Sequence, residues 1–419
     1  MRILKSDITE YLFIFLFSML CFGYIISTFV PVFFNVGTTP FNVAFRGLYL
    51  GVALYLIAIG IDKMTFAKFK WNFWLLCIFI LFYSSRLLYD VFIEGVVFKE
   101  SIINLMLFTF GGNLIPFFAL AIFAKEVNYD RVLKWSYVIL FISSILTLVL
   151  IYKIVGGLSM DLLRYRLSFS TETGRGGNIN AITLSLYGTL LSILSLYFIL
   201  FKKQFNYIIL ALGFVLGFVL LLFGASRGPQ VTYFLCIFYL IFIFLFKKQK
   251  SFSEKFKVGL GFTGFFLFLG YLIASIDLTK IHMYNRFANF GEGLSSDTSR
   301  RERNWEVAWN SFLDGPIIGD CYVINYFGVT YPHNIYIEVL MATGVIGGLL
   351  FLCILLSLIF KSPKNDNQVA IYVLFLVPLF SGLFSGNIFF NPLLFSMFAM
   401  MMSFQYIDGK SIKTTKAYV

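Results

Sequence analysis

The chain has 419 residues, 59% of them hydrophobic and 13% charged, with a formal net charge of +12. A mean hydropathy of +0.85 excludes an ordinary soluble domain, which is nearer half apolar and about a quarter charged. The net charge raises the question of nucleic acid, but the cations fall in short stretches between apolar runs. That placement argues against a nucleic-acid partner and for membrane lipid.

Apolar runs long enough to cross a bilayer recur from end to end. They predict twelve spans, at roughly 11–34, 41–61, 71–93, 101–124, 133–155, 179–201, 206–223, 230–246, 257–276, 334–360, 368–384 and 386–407. The first is too long for the apolar part of a signal peptide and lacks a small-residue cleavage site, so it reads as a retained span. The expected fold is an all-α polytopic membrane protein. A bundle of nine spans covers 1–276, a large extracytoplasmic loop 277–333, and spans ten to twelve with a cytoplasmic tail 334–419. Gly213 with Gly217, and Gly344 with Gly348, form GxxxG pairs that would let helices approach closely.

The charges orient this bundle. The N-terminus, every second loop and the C-terminus carry 18 Lys and two Arg; the alternate loops carry nine Arg and two Lys. Cytoplasmic loops hold the excess of cations, so both termini are expected in the cytoplasm. Lysine suffices as a topological charge, whereas the arginine fork suits bidentate contact with phosphate. An arginine-rich outer face therefore suggests an anionic, phosphate-bearing ligand there; drift in residue usage is the plain alternative.

Three outer segments carry that arginine. The loop at about 156–178 holds Arg164, Arg166 and Arg175, followed by Gly176-Gly177-Asn178. Glycines beside an arginine let backbone N–H groups approach an anion, although a solvated polar loop would look the same. The turn Gly224–Pro229 is short enough to hold Arg227 at head-group depth, where it would bind phosphate or merely snorkel. In the loop before span ten, Ser299-x-x-Glu302 is a capping-box pattern. Trp305, Ala308, Trp309 and Phe312 then share one helical face, and Gly315-Pro316 ends it. This predicts an amphipathic helix lying on the outer interface, with Arg300, Arg301 and Arg303 in its first turn. Cations there are unfavourable unless an anion or water shares the site.

His333, one of two histidines, follows Pro332 where span ten begins. A place in the first helical turn disfavours imidazolium and suits a general base or a hydrogen-bond acceptor; a structural histidine capping the loop fits the residues equally well. Asn334 would cap the helix or bind a sugar hydroxyl. Glu338, one turn deeper, is a carboxylate in an apolar run, which is costly and often functional. Four of the five cysteines fall within spans and Cys321 has no partner in its loop, so no disulfide framework or metal pair is expected. No nucleotide-binding glycine loop and no HExxH occur either.

The combination of Ser226-Arg227-Gly228 in a short outer turn, an arginine–tryptophan segment ending "FLDGPIIGDC", and "YPHNIYIEVLMATGVIG" opening a span resembles the O-antigen ligase and O-antigen polymerase superfamily of bacterial envelope enzymes. The resemblance covers spans six to eleven. It implies a GT-C-like glycosyltransferase in the inner (plasma) membrane, working on its outer face without cofactor or metal. The donor would be an undecaprenyl-diphosphate-linked glycan, with His333 as base and Arg227 plus one or more of Arg300, Arg301 and Arg303 on the diphosphate. A chain-length regulator is a candidate partner. Polymerases of the group carry an R-x10-G pattern in two outer loops. Arg166 to Gly177 has that spacing, while Arg303 to Gly315 is one residue too long. The first loop favours a polymerase, with a ligase acting on lipid A-core as the alternative. A lipid-linked-glycan transporter is the reading from another class; internal repeats and mid-membrane charges, which a transporter would show, are scarce here.

Overall fold

The computed structural model describes residues 5–23, 26, 27, 30, 31, 34, 38–63, 71–98, 101–156, 180–202, 204–246, 251–275, 296–324 and 331–404. Among these the chain is helical and has no strand. Each of the twelve apolar segments contains a helix, and a further helix lies in the loop before the tenth. In chain order they are α1 (Lys5–Phe22), α2 (Thr38–Gly60), α3 (Trp71–Phe92), α4 (Ile102–Phe123), α5 (Tyr129–Val155), α6 (Ala181–Phe201), α7 (Tyr207–Gly224), α8 (Arg227–Phe246), α9 (Phe252–Ser275), α10 (Ser296–Asp314), α11 (Ile335–Ile359), α12 (Asp366–Gly382) and α13 (Pro392–Ser403). Eight of them, α2 to α8 and α11, are long and apolar enough to cross a bilayer; α12 and α13 are apolar but shorter. This is an all-α polytopic membrane protein.

Asparagine sets many of the boundaries. Asn128, Asn180, Asn206, Asn334, Asn365 and Asn391 each precede a helix, and each side chain accepts from backbone N–H groups of the first turn. A helix start leaves four N–H groups without intrahelical partners. In an apolar setting a short side-chain acceptor is the local way to satisfy them.

The centre of the bundle is α6, apolar on all sides and buried along almost its whole length. It lies against α7 at backbone contact. A Cβ on Gly188 would overlap the Gly217 carbonyl, and Gly213 packs on Tyr137 and Ser195. The Gly213–Gly217 pair thus marks a real close approach. The other pair does something different.

Helix α11 was expected to be continuous and is broken at Gly344 (φ 59°, ψ −161°). The segment that follows α10 fills the break: Val345 N donates to Pro316 O at 2.8 Å, Ile346 N to Ile317 O at 3.2 Å, and Asp320 N to Met341 O at 2.9 Å. Irregular backbone at membrane depth survives only where protein satisfies it, and here residues 315–320 do so. Glycines on both sides, Gly319 (φ 88°) and Gly344, make the contact fit, since a Cβ on either would strike the other strand's backbone. The described part of the loop before α11 is therefore built into the bundle.

Two further departures shape the same end of the molecule. In α4, residues Leu107–Leu114 form a π-helical stretch, a feature that frequently marks functional sites. Among the described residues of the predicted last span, 386–407, the α-helix runs from Pro392 to Ser403, about 18 Å at 1.5 Å per residue. Residues 384–391 form a turn that covers the remainder. Asn113, in the π stretch, donates to Ile388 O (3.1 Å) and Phe389 O (2.9 Å) and accepts from Asn391 N (3.0 Å).

Candidate active site at one end of the bundle

His333 lies outside the helix, correcting the expectation that it occupies the first turn. Asn334 is the N-cap, accepting from Tyr336 N at 3.0 Å and Ile337 N at 3.2 Å. Helix α11 starts only at Ile335, because the asparagine beyond Pro332 supplies the cap. His333 adopts φ 61°. Left-handed backbone is uncommon for a residue with a side chain, and such strain clusters at functional sites. Among the described residues one other non-glycine shares it: Ala225, φ 42°, the C-cap residue directly before Ser226-Arg227-Gly228. The two strained turns are thus the two motif turns.

The His333 ring stands edge-on to Tyr331 at 4.4 Å. Both line a cavity of about 420 Å³ together with Arg46, Asn180, Gly386 and Asn391. The floor is apolar, formed by residues of α1, α2 and α6 such as Met19, Phe45 and Leu186.

Arg227 begins α8. Its neighbour Gly228 packs on Phe384, where a Cβ would come within 2.9 Å of the Phe384 Cβ. Arg301 reaches the same residue, donating from Nη1 to Phe384 O at 3.1 Å. Arg301 and Gly228, the neighbour of Arg227, therefore converge on one residue, directly before the Ser385-Gly386 pair that lines the His333 cavity. Arg303 is exposed. Arg300 lies in α10, with its side chain outside the described residues.

Helix α10 begins at Ser296, three residues before the capping box, so Arg300, Arg301 and Arg303 fall beyond the first turn. The reason is legible afterwards: Asp297, a favourable residue at the positive end of the dipole, takes that place. The inward stripe is also rotated. Asn304 and Ala308 are buried, with Ala308 packing on Ile324 and Met341. Trp309 is 45% exposed and meets Phe312 at 5.1 Å. The rotation follows from packing α10 against α11.

Glu338 is fully buried. Its Oε1 accepts from Tyr83 OH (2.7 Å) and Ile388 N (3.0 Å), tying α11 to α3 and to the 384–391 turn. Tyr322 OH bonds Thr109 Oγ1 at 2.8 Å, and its backbone N–H donates to Asp90 at 2.6 Å. Asp90 pairs with Arg86, whose guanidinium also reaches Gly319 O (3.2 Å) and Glu94 (3.0 Å). The intramembrane arginine thereby anchors the segment that fills the α11 break. Burial raises the Asp320 carboxyl and pushes the Cys321 thiol to about 12, so Cys321 is no nucleophile at neutral pH.

Arg164, Arg166, Arg175 and Gly177 lie outside the described residues. Arg46, Asn113, Tyr331 and the 384–391 turn were not singled out in the sequence. A cation four residues into an apolar run was the available signal for Arg46.

These features define a polytopic, all-helical membrane protein with strained turns, arginines and a histidine gathered at one end of its bundle. Residues 212–352 match the family model described as "O-Antigen ligase". Over that stretch, from α7 through the break in α11, the chain is similar to that family. It contains Arg227, Arg300, Arg301, Arg303, His333, Asn334 and Glu338. Arg46 and the 384–391 turn lie outside it. No curated protein matches the chain.

Proposed function

We propose that the chain is a membrane glycosyltransferase of the polymerase kind, moving an undecaprenyl-diphosphate-linked glycan to the acceptor sugar of a fresh lipid-linked repeat at the outer leaflet. The supporting observation is that Arg301 and Gly228, the residue next to Arg227, both contact Phe384, beside the turn that shares a cavity with His333. His333 takes the proton of the acceptor hydroxyl as its oxygen attacks the anomeric carbon. The C–O bond to the diphosphate breaks, and the charge left on the diphosphate is received by Arg227 and Arg301. A single displacement inverts the anomeric configuration. Preorganised donors at a site of developing charge are each worth on the order of 3 kcal/mol, roughly a hundredfold in rate.

The family description favours a second reading, a ligase that delivers the finished chain to lipid A-core. A gel of envelope glycans from the bacterium with this gene deleted separates them. Acceptor capped with a single repeat means polymerase. Bare acceptor, with long chains left on undecaprenyl diphosphate, means ligase. An unchanged ladder removes both. Restoring the gene with His333→Ala or Arg227→Ala should leave the deletion pattern in place with normal amounts of protein in the membrane. Arg227→Lys should rescue poorly, because a point charge lacks the fork.

A further inference from the structure

The His333 cavity contains a cation that this reading does not use. Arg46 sits two turns into α2, within an apolar run, where an ionised side chain is costly and marks function by default. Among the described residues it forms no ion pair with a carboxylate. Its guanidinium lies over two rings instead, Phe108 of the π-helical stretch at 4.8 Å and Phe390 of the 384–391 turn at 5.1 Å. Rings on the guanidinium face hold its plane and leave the N–H groups at its edge, the part that recognises phosphate in pairs of hydrogen bonds.

Position makes this more than a stacking contact. Arg46 and His333 line one cavity of about 420 Å³ with polar Asn180 and Asn391 and an apolar floor. Arg227 and Arg301 are not among its lining residues. A proton taken by His333 comes from the acceptor, so the acceptor sugar belongs in this cavity. An amphipathic space with a fixed cation suits a sugar joined through phosphate to a lipid. Both elements that clamp Arg46 are irregular, the π stretch and the turn, and Asn113 bonds them to each other. The clamp is thus part of the same construction that shapes the His333 side.

We propose that Arg46 binds the phosphate of the lipid-borne acceptor, as a second phosphate site beside the one assigned to Arg227 and Arg301. This rests on the transferase reading above. The test uses the full chain in lipid nanodiscs and an arginine-selective dicarbonyl reagent, with modification of Arg46 and Arg227 read by peptide mass spectrometry. At about ten times its dissociation constant, undecaprenyl diphosphate should lower modification of Arg46 about tenfold by occupancy, and undecaprenol should not. Protection by a phosphorylated lipid A in place of undecaprenyl diphosphate supports the phosphate site and assigns the acceptor to the ligase reading. Equal protection by phosphatidylglycerol overturns the assignment, since any anionic lipid would then serve. Protection of Arg227 with Arg46 unchanged overturns it and leaves the transferase standing; protection of neither removes both. If the reagent does not reach Arg46, native mass spectrometry decides. Two diphosphate lipids per wild-type chain and one per Arg46→Gln chain support the second site. Equal numbers, in equally monodisperse preparations, overturn it.

Discussion

His333 carries a backbone cost that its side chain must justify. At φ 61° a residue with a Cβ loses about 1–2 kcal/mol relative to glycine. His333→Gly should therefore unfold at a higher temperature than His333→Ala in a detergent melt, while both lack glycan transfer; equal melting points would mean the turn is unstrained. Glu338 is different in kind. Its Oε1 receives two buried donors, and Glu338→Gln keeps an acceptor in place. Glu338→Ala strands both donors, at about 1–3 kcal/mol each, so it should lower the melting temperature well below that of the glutamine variant. If alanine and glutamine melt alike, the tie between α11 and the 384–391 turn contributes nothing. The sequence identified both residues as candidates because a scarce histidine and a carboxylate in an apolar run are conspicuous. It did not separate a strained turn from a first helical turn, because that distinction depends on which residue, Pro332 or Asn334, ends up capping.

At the scale of elements, hydrophobic runs locate helices well and their interruptions badly. Twelve apolar stretches each hold a helix, yet the break in α11, the π stretch in α4 and the turn before α13 leave no mark on hydropathy. The reason is that each irregularity is stabilised from outside its own segment: residues 315–320 fill the α11 break, and Asn113 holds residues 388–391. Gly344 shows how tightly. Gly344→Ala would drive a Cβ into the Ile317 backbone in a left-handed conformation, a change in the class that costs more than about 4 kcal/mol. The variant should be lost from the membrane fraction on an immunoblot. Gly348→Ala meets only the flexible Leu340 side chain of its own helix and should accumulate normally. Comparable levels of the two would mean that the break is not required. Arg86 belongs to this construction too. Arg86→Met should destabilise more than the Arg86→Met, Asp90→Asn pair, because removing one partner leaves a buried charge without its counter-ion; a double variant weaker than the single would refute the clamp.

Across the whole molecule, the start of α8, the Arg301 contact with Phe384 and the histidine turn lie at one end, and Asp7, Glu10, Asp62 and Glu126 line a recess near the α1 start at the other. The lysine distribution predicts that the second end faces the cytoplasm. Reporter fusions after Tyr406 should therefore be active only inside the cell, and fusions within 157–179 only outside; the reverse pattern would invert the proposed site. The amino-acid order was enough to specify a membrane-spanning helical bundle, an arginine-biased face and a histidine at the mouth of a span. Those properties rest on the local periodicity and solvation of single segments, which each stretch expresses without the others. The contacts of Arg301 and Gly228 with Phe384, the shared cavity of Arg46 and His333, and the filled break in α11 arise only when α2, α4, α8, α10, α11 and the 384–391 turn pack together. They depend on backbone groups left unsatisfied in one segment and satisfied by another that is distant in sequence, a constraint the bilayer enforces because it offers no water to take their place.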